Sequence, residues 1–219
     1  MVSTLDLRIT ATLVLLIYAS VLDLRSREIN RLAWQSMTGL GLILLIVDLA
    51  ASKSLALLIT AAIILGIAVV FAVSIHYLGL MGGGDAKLLI GLGAMFPTLP
   101  PGTYVLPAFF LTVFSNAIIV SLLVPIAFFL RNLGELRGVR SARDFLRLFI
   151  AYQKDSKDLG RFETVLDEGQ LFINAREVEL GETEDTGRIW ATPALPFVVF
   201  LTLGFIISVL HGDLIAFIF

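Results

Sequence analysis

Met81-Gly82-Gly83-Gly84-Asp85-Ala86-Lys87 sets three glycines, an acid and a base between two long apolar runs. A carboxylate within a membrane span costs at least ~2.5–3.5 kcal/mol, so an acid at that depth needs a function or a partner. Two readings are open from this stretch alone. Asp85 either caps the helix that follows, with Gly82 to Gly84 as an interfacial turn, or belongs to a polar site within the bundle.

The rest of the chain makes the membrane setting plain. Its 219 residues are 58% hydrophobic and only 16% charged, with a mean hydropathy of +0.93, far from the balance of a soluble domain. There is no cysteine, which excludes disulfides, thiolate metal sites and cysteine nucleophiles. The two histidines, His76 and His211, lack metal-ligand spacing and read as interfacial side chains. The net charge of -2 names no partner, and no metal, cofactor or nucleic acid is expected. Residues 131–190, however, hold 10 of the 16 Lys/Arg and 12 of the 18 Asp/Glu. That block must lie outside the bilayer.

Apolar runs cover Ile9–Leu22, Leu32–Leu49, Leu55–Leu80, Leu88–Phe96, Val105–Leu130 and Pro193–Leu210, and about 20 residues cross a bilayer. The first is kept as a span rather than a signal peptide, because Asp6 precedes it and no A-x-A pattern follows; Arg8 is expected to snorkel outward. The fourth run is short: a helix from Ala86 to Pro97 would rise ~18 Å against a core of ~30 Å. Asp85 is therefore expected below the membrane surface, where unwound glycine-rich backbone lines a wettable cavity. The fifth run holds Pro107 and Pro125 and is expected to be kinked or to be entered at Pro107, and its Ser115 and Asn116 read as helix–helix hydrogen bonds.

The expected fold is an all-α polytopic membrane protein of six transmembrane helices, with a small α+β domain inserted between helices 5 and 6. Residues 1–130 form helices 1–5, residues 131–190 the soluble domain, and residues 191–219 helix 6 and a tail. Within the block, Arg131, Arg137, Arg140, Arg143 and Arg147 suit anionic headgroups. An amphipathic helix from Ser141 presents Phe145, Leu146, Leu148 and Phe149. Phe162–Leu166 and Gln170–Leu180 read as a hairpin about Asp167-Glu168-Gly169.

Six spans put both termini on one side. With the N-terminus outside, 14 of the 16 Lys/Arg fall inside and only Arg8 and Lys53 outside, as the positive-inside rule prefers. The cytoplasmic ends of spans one and four then carry Asp23 and Asp85, whereas Asp48 and Asp213 fall outside. Two converging carboxylates hold one proton between them. The ionised acid takes a proton from water while its protonated partner donates to a scissile carbonyl. An ion or proton transporter using the same acids as a relay is the alternative.

Here the residues resemble a family. Asp23-Leu24-Arg25-Ser26-Arg27-Glu28-Ile29-Asn30 resembles the segment that carries the first catalytic aspartate of type IV prepilin peptidases, which are G-x-G-D aspartyl proteases. Gly82-Gly83-Gly84-Asp85-Ala86-Lys87-Leu88 is similar to their G-x-G-D-x-K-L signature, which carries the second. The absence of a cysteine-rich cytoplasmic region makes the archaeal preflagellin and prepilin signal peptidases the nearer likeness, and methyltransferase activity is not expected. The resemblance implies catalysis by Asp23 and Asp85, with preflagellin- or prepilin-like precursors as partners. Cleavage would follow a short basic leader at the cytoplasmic face of the cell membrane.

Pro193-Ala194-Leu195 resembles the P-A-L segment of presenilin-like proteases, whose prolines leave backbone groups free to hold an extended substrate. The alternative is an ordinary helix start near Pro193. Gly82, Gly83 and Gly84 would give backbone and substrate close access to the acid. Lys87 either reaches headgroups or acts on the charge of Asp85. Glu177, Glu179, Glu182, Glu184 and Asp185 could attract a basic leader or form a solvated face.

Overall fold

Each long helix begins where the sequence supplies a cap. Helix α1 (Thr4–Ser26) starts at a capping box between Ser3 and Asp6 and ends at Arg27, which adopts the left-handed conformation. Helix α2 (Arg31–Ser52) is capped by Asn30, whose side chain accepts from the Leu32 N–H. Ser54 does the same for Leu57 at the start of α3 (Leu55–Tyr77). The computed structural model describes residues 3–166 and 188–217, and these divide into two compact units, Met1–Val120 with Pro196–Phe219, and Ser121–Leu195.

In the first unit, α4 (Gly83–Met95) is the inner helix. Almost every residue from Ala86 to Met95 is buried, and the helix packs against α2 and α3. Glycine makes that approach possible. A Cβ on Gly41 of α2 would lie 2.6 Å from the carbonyl carbon of Ala94, and one on Gly93 would lie 2.6 Å from the Ala68 Cβ of α3. The residues that α3 buries include Ala61, Ala68 and Ala72, while Ile59, Ile63 and Val70 face outward. Small residues inside and large apolar ones outside is the pattern of helices packed within lipid.

Helix α5 (Phe109–Ser121) follows, and the first unit is completed by α8 (Phe197–His211). Thr202 and Ser20 tie α8 to α1: the two hydroxyls lie 2.7 Å apart, and Thr202 donates to the Leu16 carbonyl. Asn116 of α5 is fully buried. It donates to Ser208 Oγ and to the Gly212 carbonyl, and accepts from the Leu214 N–H, as expected of a helix–helix hydrogen bond.

Three sequence expectations need correction here. Arg8 does not snorkel. It is buried, pairs with Asp48 at 2.8 Å and donates to the Met95 carbonyl at the end of α4, where the helix dipole also favours a cation. Gly83 and Gly84 are helical rather than unwound, so α4 starts ahead of Ala86. Pro193 does not begin a helix: α8 starts at Phe197 with Pro196 at its cap.

The second unit opens with α6 (Leu123–Arg131). Helix breaks between Ser121 and Leu123 because Pro125 has no N–H to offer the Ser121 carbonyl and its ring crowds that group. Next comes α7 (Ala142–Ile150), started by a Ser141–Asp144 capping box. Leu148 is buried and Phe149 stacks on Phe129 of α6 at 4.6 Å, but Leu146 is exposed. Arg147 is buried, unlike the exposed Arg137, Arg140 and Arg143. Asn132 donates to the Leu148 and Ala151 carbonyls and so holds the end of α7.

Three antiparallel strands form a sheet in the order β1-β3-β2: β1 (Tyr152–Asp155), β2 (Glu163–Val165) and β3 (Arg188–Pro193). Glu163 is its polar hub, accepting from Lys154 Nζ, the Gly160 N–H and the Tyr152 hydroxyl. Burial alone would push this carboxyl up, but the three donors and the Lys154 charge outweigh it and hold the pKa at about 2. The expected strand at Phe162–Leu166 thus matches β2, while its partner at Gln170–Leu180 lies outside the described residues.

Among the described residues four helices are long and apolar enough to cross a membrane: α1, α2, α3 and the 23-residue stretch Phe109–Arg131. Helix α8 is apolar but shorter. The chain is mostly helical and a membrane protein, with one small sheet toward its C-terminal end.

Candidate active site

Asp23 lies in the last turn of α1 and Asp85 in the first turn of α4. The Arg8 bond to Met95 joins the start of α1 to the end of α4. The two helices are thereby antiparallel, and both acids emerge at the opposite end. There they are close enough that the charge of Asp23 acts on Asp85. Asp23 is buried, and its Oδ2 accepts from the Val198 N–H at 3.2 Å. Pro196 offers α8 no side-chain cap, so the carboxylate of α1 satisfies an amide at the N-terminus of α8. The charge of Arg27 also acts on Asp23.

Asp85 is held differently. It is the third residue of α4, and its carboxyl turns back beside Gly82, which has no side chain to cap the helix in return. The open sides of the three glycines are occupied from within the protein. A Cβ on Gly82 would come 3.1 Å from Asp85 Oδ2. One on Gly83 would come 3.3 Å from the His76 ring, and one on Gly84 would come 2.9 Å from Ile29 Cβ. Ile29 belongs to the first acidic segment, so the two acid-bearing stretches touch directly, one against the other.

Other residues singled out in the sequence fall as follows. Lys87 is exposed and lies over the Trp34 ring of α2 at 5.4 Å, a cation–π contact; among the described residues no ion pair joins it to Asp85. Pro193 ends β3 opposite Glu163. The Ala194 N–H donates to the Phe162 carbonyl at 2.8 Å, so this segment is extended but that amide is already used, and Leu195 is exposed. Glu177, Glu179, Glu182, Glu184 and Asp185 lie outside the described residues. Among the described residues no cluster of three His, Cys, Asp or Glu could hold a metal ion.

Ile29, His76 and Val198 were not apparent as site residues in the sequence. Ile29 could have been found from its place in the first acidic segment, and Val198 from the uncapped helix start after Pro196. Nothing in the sequence pointed to the contact between the His76 ring and Gly83.

A glycine-containing helix start and a second helix end thus bring two acids together in a bundle of apolar helices. The chain belongs to the type IV leader peptidase family, which it matches over residues 10–126. Residues 134–214 match the archaeal peptidase A24 C-terminus type II family. Among its relatives, a preflagellin peptidase of Methanocaldococcus jannaschii is 33% identical over 93% of each chain. Preflagellin peptidases of Methanococcus maripaludis and Methanococcus voltae are 29% and 28% identical, each over 90% of this chain and 92% of the relative.

Proposed function

We propose that this protein is an aspartyl endopeptidase that removes the short basic leader from preflagellin-like precursors, with Asp23 and Asp85 activating the attacking water. The observation that carries this reading is the packing of two acid-bearing segments far apart in sequence, Ile29 of the Asp23 segment against Gly84 beside Asp85, in a chain whose relatives are named preflagellin peptidases. One carboxylate accepts a proton from water as the protonated partner donates to the scissile carbonyl, and no covalent intermediate forms. Because the pair titrates as a unit, neither acid has a fixed role. Gly82, Gly83 and Gly84 shape the site by letting neighbours close on Asp85. Lys87, exposed two residues beyond Asp85, borders the substrate path.

In this proposal α1, α2, α3, α4, α5 with α6, and α8 are six spans, with both termini outside. Residues 131–190 and the acid pair then lie at the cytoplasmic face of the cell membrane, with residues 1–130 and 191–219 as the membrane part. The exposed Arg131, Arg137, Arg140 and Arg143 meet anionic lipid. The charge asymmetry of the sequence supports this orientation. No relative favours the proton-relay alternative.

The test is to incubate the native chain in membranes with a leader-plus-helix precursor and to read the product N-terminus by mass spectrometry. Cleavage between the leader and the apolar helix is the expected result. An intact precursor together with a proton flux that depends on Asp23 and Asp85 would instead favour the relay.

A further inference from the structure

The connection between α3 and α4 is tied down by a side chain the reaction does not otherwise use. His76 Nδ1 lies 3.2 Å from the Met81 carbonyl oxygen. A carbonyl only accepts, so Nδ1 carries the proton and donates. The same ring covers Gly83, where a Cβ would be 3.3 Å from His76 Cε1. The connection between them turns tightly: the Gly79 and Leu80 N–H groups return to the His76 and Ile75 carbonyls, and Gly79 is left-handed.

The peptide unit that joins Met81 to Gly82 therefore lies between the imidazole and the Asp85 carboxyl. Its carbonyl accepts from the imidazole, and the Asp85 carboxyl lies beside Gly82, close enough that a Cβ there would be 3.1 Å from Oδ2. A hydrogen bond at one end of a peptide polarises the other end and strengthens it as a donor. It also fixes the plane of that peptide, and with it the direction in which Gly82 N–H points.

We propose that His76 is a positioning residue for Asp85, acting through the Met81–Gly82 peptide: imidazole N–H to carbonyl, and amide N–H to carboxylate. This rests on the reading of Asp85 as a member of the acid pair. The role belongs to the donor at Nδ1, and the packing of the ring on Gly83 keeps that donor in place. Substrate does not touch His76 in this scheme, so its removal acts on the chemical step and leaves binding unchanged.

Three variants of the full-length protein in membranes test this, with steady-state cleavage of the leader-plus-helix precursor as the assay. His76→Phe keeps an aromatic ring over Gly83 but removes the donor; it is expected to lower kcat by roughly 3- to 10-fold, the scale of one net hydrogen bond, with KM within about twofold of native. His76→Asn places an amide N–H near the former Nδ1 and is expected to recover most of the loss. Native kcat in His76→Phe, or equal impairment in His76→Asn, would overturn the proposal. Asp85→Ala separates the two layers of the argument: residual cleavage in that variant overturns the acid pair itself, whereas no cleavage there with an unaffected His76→Phe overturns only the role of His76.

Discussion

Adding one methyl group to Gly84 is expected to damage catalysis more than folding. A Cβ there would sit 2.9 Å from Ile29 Cβ, 3.0 Å from Cδ1 and 3.3 Å from Cγ1. Rotating the isoleucine moves Cδ1 and Cγ1 away but not Cβ, which is fixed to the backbone. The clash is relieved only if the start of α4 and the connection at residues 27–30 part by roughly 0.5–1 Å to reach ordinary contact distance. Overpacking of this kind costs about 1–3 kcal/mol. Asp85 is the next residue and Asp23 lies just ahead of that connection, so the same movement separates the acids, and a misplacement near 1 Å can cost ~10²-fold in rate. Gly84→Ala is expected to lower kcat by ~10- to 100-fold with KM little changed. Ile29→Ala in the same chain should restore part of the activity, since it removes Cδ1 and Cγ1. Ile29→Gly should restore more, since it removes Cβ as well. The assay is precursor cleavage, read as a double-mutant cycle against each Ile29 single variant. Native activity in Gly84→Ala, or a loss of the same size in every Ile29 background, would refute the reasoning.

Further outcomes follow from other parts of the molecule. Asp48→Ala leaves the buried Arg8 guanidinium with the Met95 carbonyl but no counter-charge and should destabilise the membrane unit, measured as a lower thermal midpoint in detergent. A midpoint unchanged from native would show that Arg8 finds water instead. Asn116→Leu breaks three hydrogen bonds among α5, α8 and the turn after it, leaves the Gly212 carbonyl and the Leu214 N–H without that partner, and should also lower the midpoint. For Glu163, the folded pKa of about 2 lies below its ordinary 4.5. Its contribution, on the order of 2–4 kcal/mol, is therefore complete above pH 4.5 and lost as pH falls through about 2. Trp190 fluorescence in a Trp34→Phe background should report loss of the sheet in that acid window, and Glu163→Gln should flatten the dependence. An equal acid transition in Glu163→Gln would assign it to another group.

What the sequence made legible was set by local chemistry. Ser141 announced the start of α7 because a capping oxygen acts within three residues, and the prolines inside the fifth run announced an irregular helix, which breaks ahead of Pro125. The two acids were found through their sequence context and the side-by-side charge count. The contacts that place them were not visible, because each joins residues far apart along the chain: Asp23 to Val198, Arg8 to Met95, and Ile29 to Gly84. The glycines misled in one respect. Their low helix propensity suggested unwound backbone, yet Gly83 and Gly84 are in the first turn of α4, where close packing by His76 and Ile29 outweighs a propensity cost of ~1 kcal/mol per glycine.

The proposed catalysis needs two acids acting as one site. The most direct test compares cleavage of a leader-plus-helix precursor by the native chain, Asp23→Ala, Asp85→Ala and the double variant, with each shown to be inserted and folded. Acids that act as a unit are not additive, so each single substitution is predicted to abolish cleavage as completely as the double. Substantial cleavage by either single variant would contradict the account.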